Sequence, residues 1–330
     1  MQLCYDVVVP EAPQTRWLLL IHQIPPTPSY LRVKIGRRLQ ALGAVAVKNS
    51  VYVLPPSDQA LEDFQWVRRE IVAGRGDASV CEARFVEGLS DAAVEALFNA
   101  AREADYAELT REARPLYATV VRRRKRPRGA KNQDEGALMR LRKRLGEVAA
   151  VDFFGAAGRE TVEGLLAAVE AGLRPPAEGK GSDAASTAEV RGRRWVTRTG
   201  VHVDRIASAW LIRRFIDPEA RFKFVRGQEY APGSDELRFD MFEAEFTHEG
   251  ERCTFEVLLQ RFGLKDSALR EVAEIVHDID LKDGKFARPE APGLDRLIAG
   301  IALRHQQDEA RLSDGVTAFE ALYEYFKKKR

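Results

Sequence analysis

The stretch RPPAEGKGSDAASTAEVRG, residues 174–192, most constrains what this chain can fold into. It is rich in Pro, Gly, Ser and Ala and shows neither a helical nor a strand period. It therefore has no face to bury and reads as a linker, with the last domain expected to begin after it. Of the 330 residues, 45% are apolar and 31% charged, an ordinary composition for globular domains. No run of about 18 apolar residues occurs, so no membrane partner is expected. The opening MQLCYDVVVPEAPQT lacks the basic start of a signal peptide. Cys4, Cys81 and Cys253 are far apart and form no CxxC. That argues against a disulfide framework or a zinc finger, and for reduced, cytoplasmic surroundings.

Charge divides unevenly along the chain. Residues 1–150 hold 24 Lys/Arg against 18 Asp/Glu, while residues 151–330 hold 28 against 32. Of the five histidines only His22 lies in the first half; His202, His248, His277 and His305 lie in the second. The front half leans towards polyanions, and the back half carries the metal-capable groups.

Pattern and punctuation predict an element order. WLLLIHQIP is a buried strand ended by prolines, and SYLRVKIGRRLQALGA a helix stopped by glycine. VAVKNSVYVLP reads as two short strands or one bent strand. A helix capped at Ser57 or Asp58, an alternating strand through ASVCEARFVEG, and a further capped helix from SDAAVEALF follow. This βαββαβ order with a trailing helix predicts a ferredoxin-like α+β domain over residues 1–112. A basic helical connector is expected over 113–175, and a linker over 176–192. The last domain, 193–330, is expected to be mostly α-helical with a few short strands.

Several long motifs carry a resemblance. PSYLRVKIGRRLQALGAVAVKNSVYVLP and VCEARFVEG resemble the N-terminal domain of ChrB-type chromate-resistance proteins. DRIASAWLIRRFIDPEARF, FTHEGERCTFE and IVHDIDLKDGKF resemble that family's C-terminal domain. The likeness runs from about Trp17 to Phe326. It implies a chromate-responsive transcriptional regulator of a chromate-resistance operon, acting on promoter DNA. A shorter relative made of the C-terminal domain alone is linked to oxidative defence.

The candidate sites follow from the chemistry of the residues. Seven of the ten residues from 122 to 131 are basic: Arg122, Arg123, Arg124, Lys125, Arg126, Arg128 and Lys131. Such a run tracks a phosphate backbone, releasing a counterion per contact, or serves as a solvated linker. The helix Tyr30–Leu42, with Arg32, Lys34, Arg37 and Arg38, is a second DNA-facing candidate. In the last domain Arg198, Arg205 and Arg213, with His202, are candidates to hold chromate or a related oxyanion, because guanidinium donates in a planar fork. The same arginines equally suit local carboxylates such as Asp204 and Asp217.

Glu245, His248, His277 and Asp280 are the candidate metal ligands, for a divalent ion such as Fe, Mn or Zn. In EIVHDIDLKDG, residues 274–284, His277 and Asp280 stand three apart on one helix face, at the end where the helix dipole disfavours carboxylates. Asp278 points elsewhere and is expected to be dispensable. Cys253 sits where a helix begins. These features lead to a cytoplasmic, homo-oligomeric, chromate-responsive regulator. DNA would meet its N-terminal and basic regions, and an oxyanion or metal its C-terminal domain. A metal-dependent redox enzyme of chromate detoxification or oxidative defence is the alternative, and a non-catalytic interaction protein a third reading.

Overall fold

The computed structural model describes residues 16–27, 29–122, 130–173, 190–225, 230–241 and 244–328. The expected linker up to residue 189 falls outside them. So do basic residues 123–129, and the side chains of Arg122 and Lys131. The chain is mixed α/β and divides into two compact units, one of residues 1–105 with 147–156, the other of 106–146 with 157–330.

The first unit is built on a four-stranded antiparallel sheet. Strand β1 (Trp17–Gln23) is central, followed by α1 (Ser29–Ala41), β2 (Val45–Lys48), β3 (Val51–Leu54), α2 (Asp58–Ala73), β4 (Asp77–Ala83) and the start of α3 (Asp91–Tyr117). The strand order is β2-β3-β1-β4, and VAVKNSVYVLP forms two strands in antiparallel register. Helix α1 buries Leu31, Ile35 and Leu39, a row spaced four apart that faces one direction. Its Arg32 and Arg38 are engaged with Ile24 O and Glu70. Ser57 Oγ accepts from Ala60 N at 3.0 Å and starts α2, and Gly74 ends it. Trp17 and Phe98 stack beside Phe154 at the centre of the core.

The second unit holds the rest of α3, a π-helical turn Ala118–Arg122, and most of α4 (Ala130–Ala150). Helix α5 (Arg159–Leu173) follows. Next come β5 (Arg194–Arg198), α6 (Val203–Leu211), a π-helical turn Ile212–Ile216, β6 (Arg221–Val225) and β7 (Glu236–Arg238). The chain closes with α7 (Thr254–Arg261), α8 (Ser267–Asp280), α9 (Ala291–Arg304) and α10 (Asp308–Lys328). The three strands are parallel, in the order β6-β5-β7. Parallel neighbours need a crossover, which α6 supplies between β5 and β6. Trp210 of α6 stacks on Phe255 and Phe319, tying α6 to α7 and α10.

Strand β7 is short. In LRFDMFEAEFTHEG the strand ends at Arg238, and Glu245 lies in a bend that returns Phe246 to a single bridge with Phe239. Asp240 sits at that break with φ +47°, a left-handed conformation that Asp tolerates better than most side chains.

Candidate functional site

The second unit gathers carboxylates around one buried imidazole. His248 is 6% exposed. Its Nε2 lies 3.2 Å from Asp280 Oδ2, 3.3 Å from Asp204 Oδ2 and 3.4 Å from Asp240 Oδ1. Its Nδ1 is 3.2 Å from Thr161 Oγ1 on α5. The donor atoms of Asp204, His248 and Asp280 all lie within 4.8 Å of one another.

Each participant is fixed by its element. Asp204 stands in the first turn of α6 and reaches the start of α7. There it accepts from Thr254 N at 2.9 Å and Phe255 N at 3.0 Å, and Ser208 Oγ adds a third bond. The orphan donors of one helix N-terminus therefore aim this carboxylate. Asp240 accepts from Thr254 Oγ1 at 2.9 Å and pairs with Arg205 Nε at 3.1 Å. Asp280 closes α8; its Oδ2 is enclosed and accepts no hydrogen bond. Helix α5 approaches closely through Gly164, where a Cβ would stand 2.8 Å from His248 O.

The electrostatics reflect this crowding. Burial pushes the Asp280 carboxyl up to about 8; the His248 charge opposes that rise, and Asp204, Asp240 and Glu160 reinforce it. Burial and the neighbouring Asp240 likewise raise Asp204. Burial also works against a charged His248. The surrounding Asp280, Asp204 and Asp240 outweigh it and hold the imidazole well above its ordinary range. For Asp240, bonding to His248 and the Arg205 charge outweigh burial and keep the carboxyl low.

Of the four expected metal ligands, His248 and Asp280 are brought together and two lie elsewhere. Glu245 forms a fork with Arg238, at 2.9 Å to Nη2 and 2.7 Å to the backbone N, because the chain bends before it reaches the cluster. His277 shares a face of α8 with Asp280 but belongs to a separate buried network. Its Nδ1 meets Glu256 Oε2 at 2.7 Å, and its Nε2 lies 3.3 Å from Asp283 Oδ1. Asp278, expected to be dispensable, accepts the backbone N–H groups of Phe286 and Arg288 and so fastens that loop.

The oxyanion candidates are scattered. Arg198 is buried against Glu160 at 2.5 Å, and Arg205 is paired with Asp240. Arg213 is exposed over the Phe222 ring, and His202 is the exposed N-cap of α6. Cys253 is fully buried as the N-cap of α7. Asp204 and Asp240 are the cluster members that sequence reasoning missed. Asp240 did carry a signal, as a lone carboxylate between Phe239 and Met241 in an apolar run.

Comparison with known proteins accounts for most of the chain. Residues 32–178 match the family described as Protein ChrB, N-terminal, and residues 195–326 match ChrB, C-terminal domain. Protein ChrB of Cupriavidus metallidurans is 32% identical over 335 residues, covering 98% of each chain. No solved structure matches.

Proposed function

The chain belongs to the ChrB family, the chromate-resistance family its motifs resemble, and on that premise we propose that it is a chromate-responsive transcriptional regulator whose sensing centre is the His248 cluster. The first unit's βαββαβ order and antiparallel β2-β3-β1-β4 sheet suit a ferredoxin-like fold. With the basic run at 122–131, that unit would meet promoter DNA, as a homo-oligomer.

The single observation that carries the sensing assignment is the convergence of three carboxylates, those of Asp204 and Asp240 buried and that of Asp280 half-buried, on one imidazole nitrogen. Asp204, Asp240, Asp280 and nearby Glu160 outnumber Arg198, Arg205 and the charged His248, and both arginines already have carboxylate partners. A chromate dianion placed here would be opposed by each ionised carboxylate, by twice the roughly 4 kcal/mol that two unit charges feel at 4 Å. A cation meets the opposite field. The centre therefore suits a cation, and chromate is sensed through it rather than held by an arginine fork. No helix among the described residues is long and apolar enough to cross a membrane.

The redox-enzyme reading uses the same centre. It is favoured by the 26% exposure of the Asp280 side chain, the most exposed of the carboxylates around His248, although its Oδ2 is enclosed. One paired experiment separates the two. Binding of the purified protein to its own promoter DNA is measured across a salt series, and chromate consumption is assayed on the same preparation. A regulator binds that DNA specifically without turning over chromate. Turnover with no specific DNA binding would transfer the assignment to the enzyme.

A further inference from the structure

The His248 cluster has a deficit that a proton does not remove. Nε2 carries at most one hydrogen, yet three carboxylate oxygens face it at 3.2, 3.3 and 3.4 Å. The three are not equivalent. Asp240 is already served by Thr254 Oγ1 and Arg205. Asp204 is aimed inward by two backbone N–H groups and Ser208. Asp280 Oδ2 is enclosed and makes no hydrogen bond, although Nε2 lies 3.2 Å away.

The far side of the imidazole ring supplies an independent observation. His248 Nδ1 stands 3.2 Å from Thr161 Oγ1. With Nδ1–H donating there, Nε2 turns its lone pair towards the carboxylates, which is how metal-ligating histidines are oriented by their outer partners. The spacing agrees. Two donors each about 2.1 Å from one ion and at right angles stand about 3 Å apart, close to the 3.2 and 3.3 Å separations of Asp280 and Asp204 from Nε2.

We propose that Asp204, His248 and Asp280 ligate one divalent ion of the Mn2+ or Fe2+ class, with the Asp240–Arg205 pair beside it and water completing its shell. The class follows from the donors. Carboxylates favour hard ions, imidazole favours borderline ones, and no sulfur belongs to this three-donor group. The proposal rests on the reading of the cluster as a cation centre, and it names the ligands and the ion.

The test uses full-length, chelator-treated protein and Mn2+ alone, with free Mn2+ followed by electron paramagnetic resonance. The wild type is expected to bind one ion per chain. Asp280→Asn should weaken binding at least tenfold, and Thr161→Val should weaken it by about tenfold through the imidazole. Glu245→Ala should bind as the wild type does. The Thr161 variant leaves every donor in place, so it answers even if a ligand variant fails to fold. A wild type that takes up no Mn2+, or Asp280→Asn with wild-type affinity, overturns the assignment. No DNA or chromate enters this measurement. A failed titration therefore leaves the regulator reading standing, and a successful one supports the metal site even where promoter binding is absent.

Discussion

Asp283 lies 3.0 Å from Arg114, a residue 169 positions earlier in the chain, and the same guanidinium donates to Leu281 O at 3.2 Å. This pair fastens the segment after α8 to the end of α3, just before the π-helical turn that leads into the basic run. The Asp283 side chain is only 10% exposed, so Arg114→Ala leaves a largely enclosed carboxylate without its guanidinium and with only His277 as a basic neighbour among the described residues. The expected cost is roughly 1–3 kcal/mol, read as a lower urea midpoint. In a cycle with Asp283→Asn the two losses should fall short of additive by 0.5 kcal/mol or more, on the order expected for a contacting pair.

Gly164 brings α5 against His248. A Cβ there would stand 2.8 Å from His248 O and 3.2 Å from His248 Cβ. The nearest obstacle is backbone, which cannot rotate away. Gly164→Ala should therefore destabilise the second unit by about 1–3 kcal/mol, against the small gain an alanine ordinarily brings to a helix. Thermal unfolding checks the sign.

The pH dependence of the metal-free protein follows from Asp280. Its carboxyl is raised from 3.8 to about 8, so between those values the folded chain holds a proton that the unfolded chain has released. Raising the pH across this window withdraws that proton and favours unfolding. His248, also raised, acts in the same direction: its contribution is lost as pH rises through its folded value. Urea midpoints in chelator should fall from pH 5 to pH 9 in the wild type. The decline should be much shallower in Asp280→Asn.

The basic run makes a separate prediction. Replacing Arg122, Arg123, Arg124, Lys125 and Arg126 with Gln should weaken binding to all DNA sequences alike. The log–log salt slope should fall by about 0.9 per lost phosphate contact. A slope equal to that of the wild type would make the run a linker only.

Much of the fold was legible from local pattern. SYLRVKIGRRLQALGA marked α1, which buries Leu31, Ile35 and Leu39, and Ser57 marked the start of α2. The site was legible only in part. His277 and Asp280 share a helix face, which spacing reveals, but which partner each meets is decided by packing from distant segments. Glu256 lies 21 residues from His277, and Asp204 lies 44 from His248. Asp204 also sits in a helix first turn, where an acid is ordinary. Only the approach of α7 makes it a member of the cluster.

The central claim is that the His248 centre governs the response to chromate. A reporter driven by the protein's own promoter, in cells carrying either the wild type or Asp280→Asn, tests it most directly. Reporter output in a strain lacking the protein sets the reference. Chromate should change expression with the wild type. With Asp280→Asn the promoter should remain bound, and expression should not move when chromate is added. A full chromate response from Asp280→Asn, at matched protein level, would contradict the account.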